Sequence, residues 1–210
     1  MVVTELLSTG GWMMYVIFGV SIIALAITID RVIMLYIRSR LNVPQLLGKI
    51  IRAIESNDFV KAIEICNIRT KHPLPRILKA GLSKSNRREK EIERAMEEEM
   101  LHSLPSIQRG LGFLGLLGNV ATLLGLLGTI FGLITAFSGV SAASATERQK
   151  VLAEGISVAM FTTAFGLIVA VPILFAHQMI SGRVEKLLIQ QEEGATSLLV
   201  ALASKLKGTK

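Results

Sequence analysis

The apolar positions of this chain are pooled rather than scattered. Three long blocks, 12–37, 110–140 and 154–180, are almost free of charge. Each reaches or exceeds the roughly 20 residues that a helix needs to cross a bilayer. None shows the period-two alternation of a membrane barrel strand. The pattern therefore predicts an all-α, polytopic membrane protein with three transmembrane helices. Between and around them it predicts an external N-terminal segment over 1–11, a cytoplasmic helical region over 38–109, an external loop over 141–153 and a cytoplasmic C-terminal helix over 181–210.

The polar segments have helical period. After Pro44, the residues Leu46, Leu47, Ile50, Ile51 and Ile54 form one stripe, and Asp58 is placed to cap the short run that follows. Pro73 and Pro75 mark a turn, and a long charged helix should start near Arg87 and be kinked or interrupted at Pro105. The tail offers Leu187, Leu188, Leu198, Leu199 and Leu202 for packing, with Gly194 breaking the pattern.

The middle block is more than a greasy anchor. Gly118, Gly125 and Gly132 recur at heptad spacing, and Gly128 with Gly132 makes a small-xxx-small pair. Small residues on one face let helix backbones approach closely where lipid gives no hydrophobic drive. Thr129 is expected on that face, with Thr122 two turns earlier. In the third block Ala159, Thr163, Gly166 and Ala170 share a face, Thr162 adjoins it, and Pro172 predicts a bend.

The charge is +7 with a pI near 9.8, and its distribution decides its meaning. Of 23 Lys and Arg, most lie between Arg31 and Arg109, and the first eleven residues carry none. By the positive-inside rule the amino terminus is outside and the region 38–109 and the tail are inside. Basic charge here sets topology, and no nucleic-acid partner is expected.

Catalytic signatures are absent. There is no phosphate loop, no nucleophile elbow and no His/Cys set at metal spacing, so neither an enzyme nor a metal site is expected. Asp30 and Arg31 read as an interfacial ion pair at the inner end of the first block. His177 reads as an interfacial histidine, with a proton-shuttle role as the sharper alternative. The single cysteine, Cys66, has no reactive setting. What remains is hydroxyls on the close-packing faces of two blocks: Thr122 and Thr129, Thr162 and Thr163. They serve either as helix–helix glue, each bonded to its own backbone, or as a polar path for a cation. Neither block carries an acid in its core. A carboxylate on such a path has to come from a second polypeptide.

At these residues the chain resembles the MotA/TolQ/ExbB family of ion-driven motor proteins. The resemblance is carried by "LLGLLGTIFGLITAF" at Leu123–Phe137, "GISVAMFTTAFGLIVAVP" at Gly155–Pro172, "IDR" at Ile29–Arg31 and "HPLPRILKAGL" at His72–Leu82. Three spans with an external amino terminus are similar to its ExbB/TolQ branch. The resemblance implies a homopentamer in the bacterial inner membrane whose second and third spans surround an ExbD/TolR-like single-span partner with a membrane aspartate. It also implies that Thr129 and Thr163 face that aspartate and that Pro172 is the family proline. Two positions depart from the pattern: Val158 stands where ExbB and TolQ carry a glutamate, and Thr122 stands near a family proline. The pair Thr162–Thr163 resembles sodium-driven stators, so both H+ and Na+ are candidate coupling ions; no other cofactor is implied. The competing reading is a passive membrane scaffold.

Overall fold

The computed structural model describes residues 11–39, 41–68 and 70–208. The external segment expected over 1–11 thus lies outside the described residues, apart from Gly11. The element order is α1 (Trp12–Val32), a π-helical turn (Ile33–Arg38), α2 (Val43–Glu55), α3 (Phe59–Ile65), α4 (Leu74–Ser83), α5 (Glu89–Gln108), α6 (Leu111–Ala142) and α7 (Arg148–Gly208). No strand occurs among the described residues. Three helical stretches are long and apolar enough to cross a membrane. The chain packs as two units, one from residues up to Asp30 with Gly110–Met179, the other from Arg31–Arg109 with Ile180 onward.

In the first unit α1 buries one face, through Met13, Met14, Ile17 and Ala24, and exposes most of the rest. Trp12 meets the ring of Phe131 on α6 edge to face, with centroids 6.1 Å apart. α6 and the first half of α7 run antiparallel, joined by the short turn 143–147. The helix that carries the third block thus begins at Arg148, inside the stretch expected as a loop over 141–153.

The second unit is an ordinary amphipathic bundle. Leu46, Ile50 and Ile54 of α2, Leu74, Ile77, Leu78 and Leu82 of α4, and Ile92 and Met96 of α5 form a core with Leu198 and Leu202 of α7. Burying each large side chain contributes roughly 1.5–3 kcal/mol. The helix ends are satisfied by side chains, near and far in sequence. Asp58 accepts from the Lys61 amide at 2.9 Å, and Lys205 donates to the terminal α2 carbonyls of Ile54 and Glu55.

The "HPLP" run also has a local cause. His72 Nδ1 accepts the Leu74 amide at 3.2 Å, Pro73 and Pro75 have no N–H to satisfy, and the Arg76 amide donates to the Pro73 carbonyl at 3.0 Å. Every donor in the first turn of α4 is therefore placed, without a serine or aspartate cap. Acceptance at Nδ1 requires neutral His72. Burial, helped by nearby Arg183 and opposed by the Gln190 side chain, pushes its pKa below the usual histidine value. Burial likewise pushes the Cys66 thiol up to about 11, so it stays protonated and inert.

Pro105 does not interrupt its helix: α5 continues through it to Gln108, and the helix ends before Gly110, whose φ of 73° is a left-handed conformation suited to glycine. α7 does not stop near 181 or at Gly194. A Cβ on Gly194 would lie 2.5 Å from Leu74 Cδ1, so this glycine makes room for a leucine and is not a helix terminator.

Candidate functional site

The α6–α7 pair is built by removing side chains. The glycine face of α6 is buried at Gly118, Gly125, Gly128 and Gly132, together with Ala121 and Ala136. Each position meets an α7 residue in descending order. Leu174 lies against Gly118, Gly166 and Thr163 against Gly125, Thr162 against Gly128, Ala159 against Gly132 and Gly155 against Ala136. At Gly166 the contact is backbone to backbone: a Cβ there would sit 2.8 Å from Gly125 Cα and 2.9 Å from the Ala121 carbonyl oxygen. No side chain can be accommodated there without moving a helix. At Gly118 the obstacles are side chains, Leu174 through Cδ2 and Cγ and Ile173 through Cγ2.

The four threonines divide at this seam. Thr163 donates its hydroxyl across the pair to the Gly125 carbonyl at 2.9 Å, a bond between residues far apart in sequence. Thr162 is buried in the notch over Gly128, and its hydroxyl donates to the Val158 carbonyl at 2.8 Å. Thr129 is half-buried beside the seam and donates to Leu126, while exposed Thr122 donates to the Gly118 carbonyl at 3.2 Å. All four protons go to backbone carbonyls. What these hydroxyls present outward is lone pairs, which accept from a neutral acid or coordinate a cation.

The structure therefore brings Thr162, Thr163, Gly125, Gly128, Gly132 and Gly166 together at one seam and leaves Thr122 and Thr129 along its edge. Gly118 joins the seam toward the Gly110 end, where Pro172 lies inside α7 between the contacts of Gly166 and Leu174. Asp30 is exposed near the end of α1, and Arg31 is largely buried with Nη1 3.4 Å from Met34 Sδ. Among the described residues no group of three or more His, Cys, Asp or Glu side chains could hold a metal.

One polar residue escaped the sequence reading. Asn119 lies on α6 in the same three-four spacing as Thr122, Leu126 and Thr129, and its side chain is exposed. Its position one turn before Thr122, inside an uncharged block, was the available signal.

Comparison with known proteins agrees with this architecture. The family model for the MotA/TolQ/ExbB proton channel family matches residues 69–193, more than half of the chain. The chain is 31% identical over 185 residues to an ExbB homolog of Methanothermobacter thermautotrophicus, covering 87% of this chain and 64% of that one. It is 42% identical over 84 residues to biopolymer transport protein exbB1 of Vibrio cholerae, covering 40% of this chain and 36% of the relative. With the Tol-Pal system protein TolQ of Haemophilus influenzae it shares 36% identity over 101 residues, covering 48% and 43%. The chain spans less than two thirds of the length of each of these relatives. Three apolar helices, a glycine-notched second and third span and the match across both place this all-α membrane protein in the MotA/TolQ/ExbB proton channel family, on its ExbB/TolQ-like side.

Proposed function

We propose that this chain is the stator subunit of an ion-driven motor of the inner membrane. In this reading it is a homopentamer with its amino terminus outside and its carboxyl terminus in the cytoplasm. Its second and third spans enclose a single-span partner of ExbD/TolR type, whose membrane aspartate exchanges the coupling ion as pentamer and partner turn against each other. The observation that carries the reading is the locked α6–α7 seam with Thr129 at its edge, half-exposed and offering only lone pairs. A partner acid arriving protonated, or with its cation, is the group such a surface accepts. Protons are the coupling ion favoured by the family description, and Na+ is the alternative raised by the Thr162–Thr163 pair.

A passive scaffold is the second reading, favoured by the fact that every one of these hydroxyls is already bonded to backbone. Thr129→Val separates the two. The motor reading expects unchanged assembly by mass measurement and at least tenfold lower ion flux in liposomes holding the complex with its partner. Undiminished flux in the variant would remove Thr129 from the path, and no flux from the unmodified complex would leave the scaffold.

A further inference from the structure

The Gly110 end of α6 carries a second polar cluster. Gly112, Gly115, Asn119 and Thr122 fall on one face of the helix, each within about 40° of their common direction at 100° per residue. Nothing lies within 4 Å of where a Cβ on Gly112 would be, so space is open there. A Cβ on Gly115 would lie 3.1 Å from His177 Nε2, which places the imidazole edge of α7 over this face, roughly 6 Å along the axis from Asn119. Neither the Asn119 amide nor the His177 ring forms a hydrogen bond among the described residues. Both belong to helices long and apolar enough to span a membrane.

Unpaired polar side chains in a span face water, a cavity or another polar group, because lipid offers them nothing. The complement here differs from that at Thr129. The amide supplies donors and an acceptor together, a neutral imidazole would supply one of each, and open space lies beside Gly112. A partner carboxylate uses only donors and a bare cation only acceptors, whereas water uses both. We propose that Asn119, Thr122 and His177 line a water-filled recess at the Gly110 end of the helix pair, and that the coupling ion passes between the Thr129 region and the aqueous phase through it. The passage of the ion rests on the motor reading above; the recess itself rests on the geometry alone.

Thiol chemistry tests both parts in the full complex. The native Cys66 is buried and its thiol is raised to about 11, so it is a silent background. Asn119→Cys is compared with Val120→Cys, at the same depth on a different face, in membrane vesicles holding the chain and its partner. The probe is a positively charged, membrane-impermeant methanethiosulfonate. The recess predicts at least tenfold faster labelling at position 119, and labelling there lowers ion flux at least tenfold. Equal slow rates would overturn the recess, as would oxidative cross-linking of two copies through position 119 without labelling, since a second copy would then cover the face. Fast labelling with unaltered flux would overturn the ion route. If the unmodified complex carries no flux, the motor reading and the ion route fall, while the labelling rates still decide the recess. A His177→Phe variant supplies an independent check. It keeps the ring, removes the nitrogens, and is expected to reduce flux at least tenfold with assembly unchanged; unchanged flux would take the imidazole off the route.

Discussion

The two packed units of this chain solve the same problem, holding helices together, by opposite means. In the bundle, long aliphatic side chains interlock, and the water around it drives their burial. In the membrane unit that drive is missing, so α6 and α7 meet through glycines, and where Gly125 faces Gly166 the nearest atoms belong to backbone. The difference teaches where tolerance lies. A side chain that is too large or too small can be accommodated by neighbouring rotamers in the bundle. At Gly125 and Gly166 the neighbour is a peptide group, which has no rotamer to change.

The comparison is broken most severely at the seam. Gly166→Leu should separate α6 from α7 altogether and leave no folded protein in a detergent-stability assay. Gly118→Ala, opposed by the side chains of Leu174 and Ile173 and not by backbone, should fold with a smaller loss. If the two variants behave alike, backbone contact is not what sets tolerance. Next in size is Leu78→Ala in the bundle, where deleting a fully buried side chain should cost about 2–5 kcal/mol of unfolding free energy in denaturant titration.

The smallest effect sharpens the picture of how the bundle caps α4. Folded His72 takes up its proton only below the ordinary value near 6.5, whereas the unfolded chain takes it up at that value. Between the two pKa values the unfolded state binds more protons. The contribution is therefore complete above about pH 6.5 and is lost as pH falls below it, down through the lowered folded value. Thermal unfolding should show a drop in midpoint of a few degrees on acidification to about pH 5. His72→Asn, which keeps an acceptor for the Leu74 amide, should remove that part of the pH dependence.

Much of this was legible beforehand, for reasons that differ by residue. The three apolar blocks and the glycine heptad are patterns of composition, and the cap at Asp58 is a matter of local spacing, so both can be read from a string of letters. The continuity of α7 was not legible. Gly194 looks like a stop until Leu74, distant in sequence, is seen occupying the space beside it. Pro105 looked like the break because proline is the stronger local signal, yet the turn falls at Gly110, where a positive φ is required. The roles of the threonines were hidden for the same reason. Thr163 binds a carbonyl on another helix, and Thr162 fills another helix's notch, and neither relation exists at any fixed distance along the chain.

The descending contacts between α6 and α7 also limit what kind of machine this hairpin can be. Sliding one helix past the other by a single residue would bring Leu167 or Phe165 toward the spot that Gly166 occupies against Gly125. The pair has no neighbouring register to step into, so it behaves as a solid tooth rather than a piston. In the proposed motor, any stroke would have to be taken up outside the hairpin, at whatever surfaces it shared with other chains.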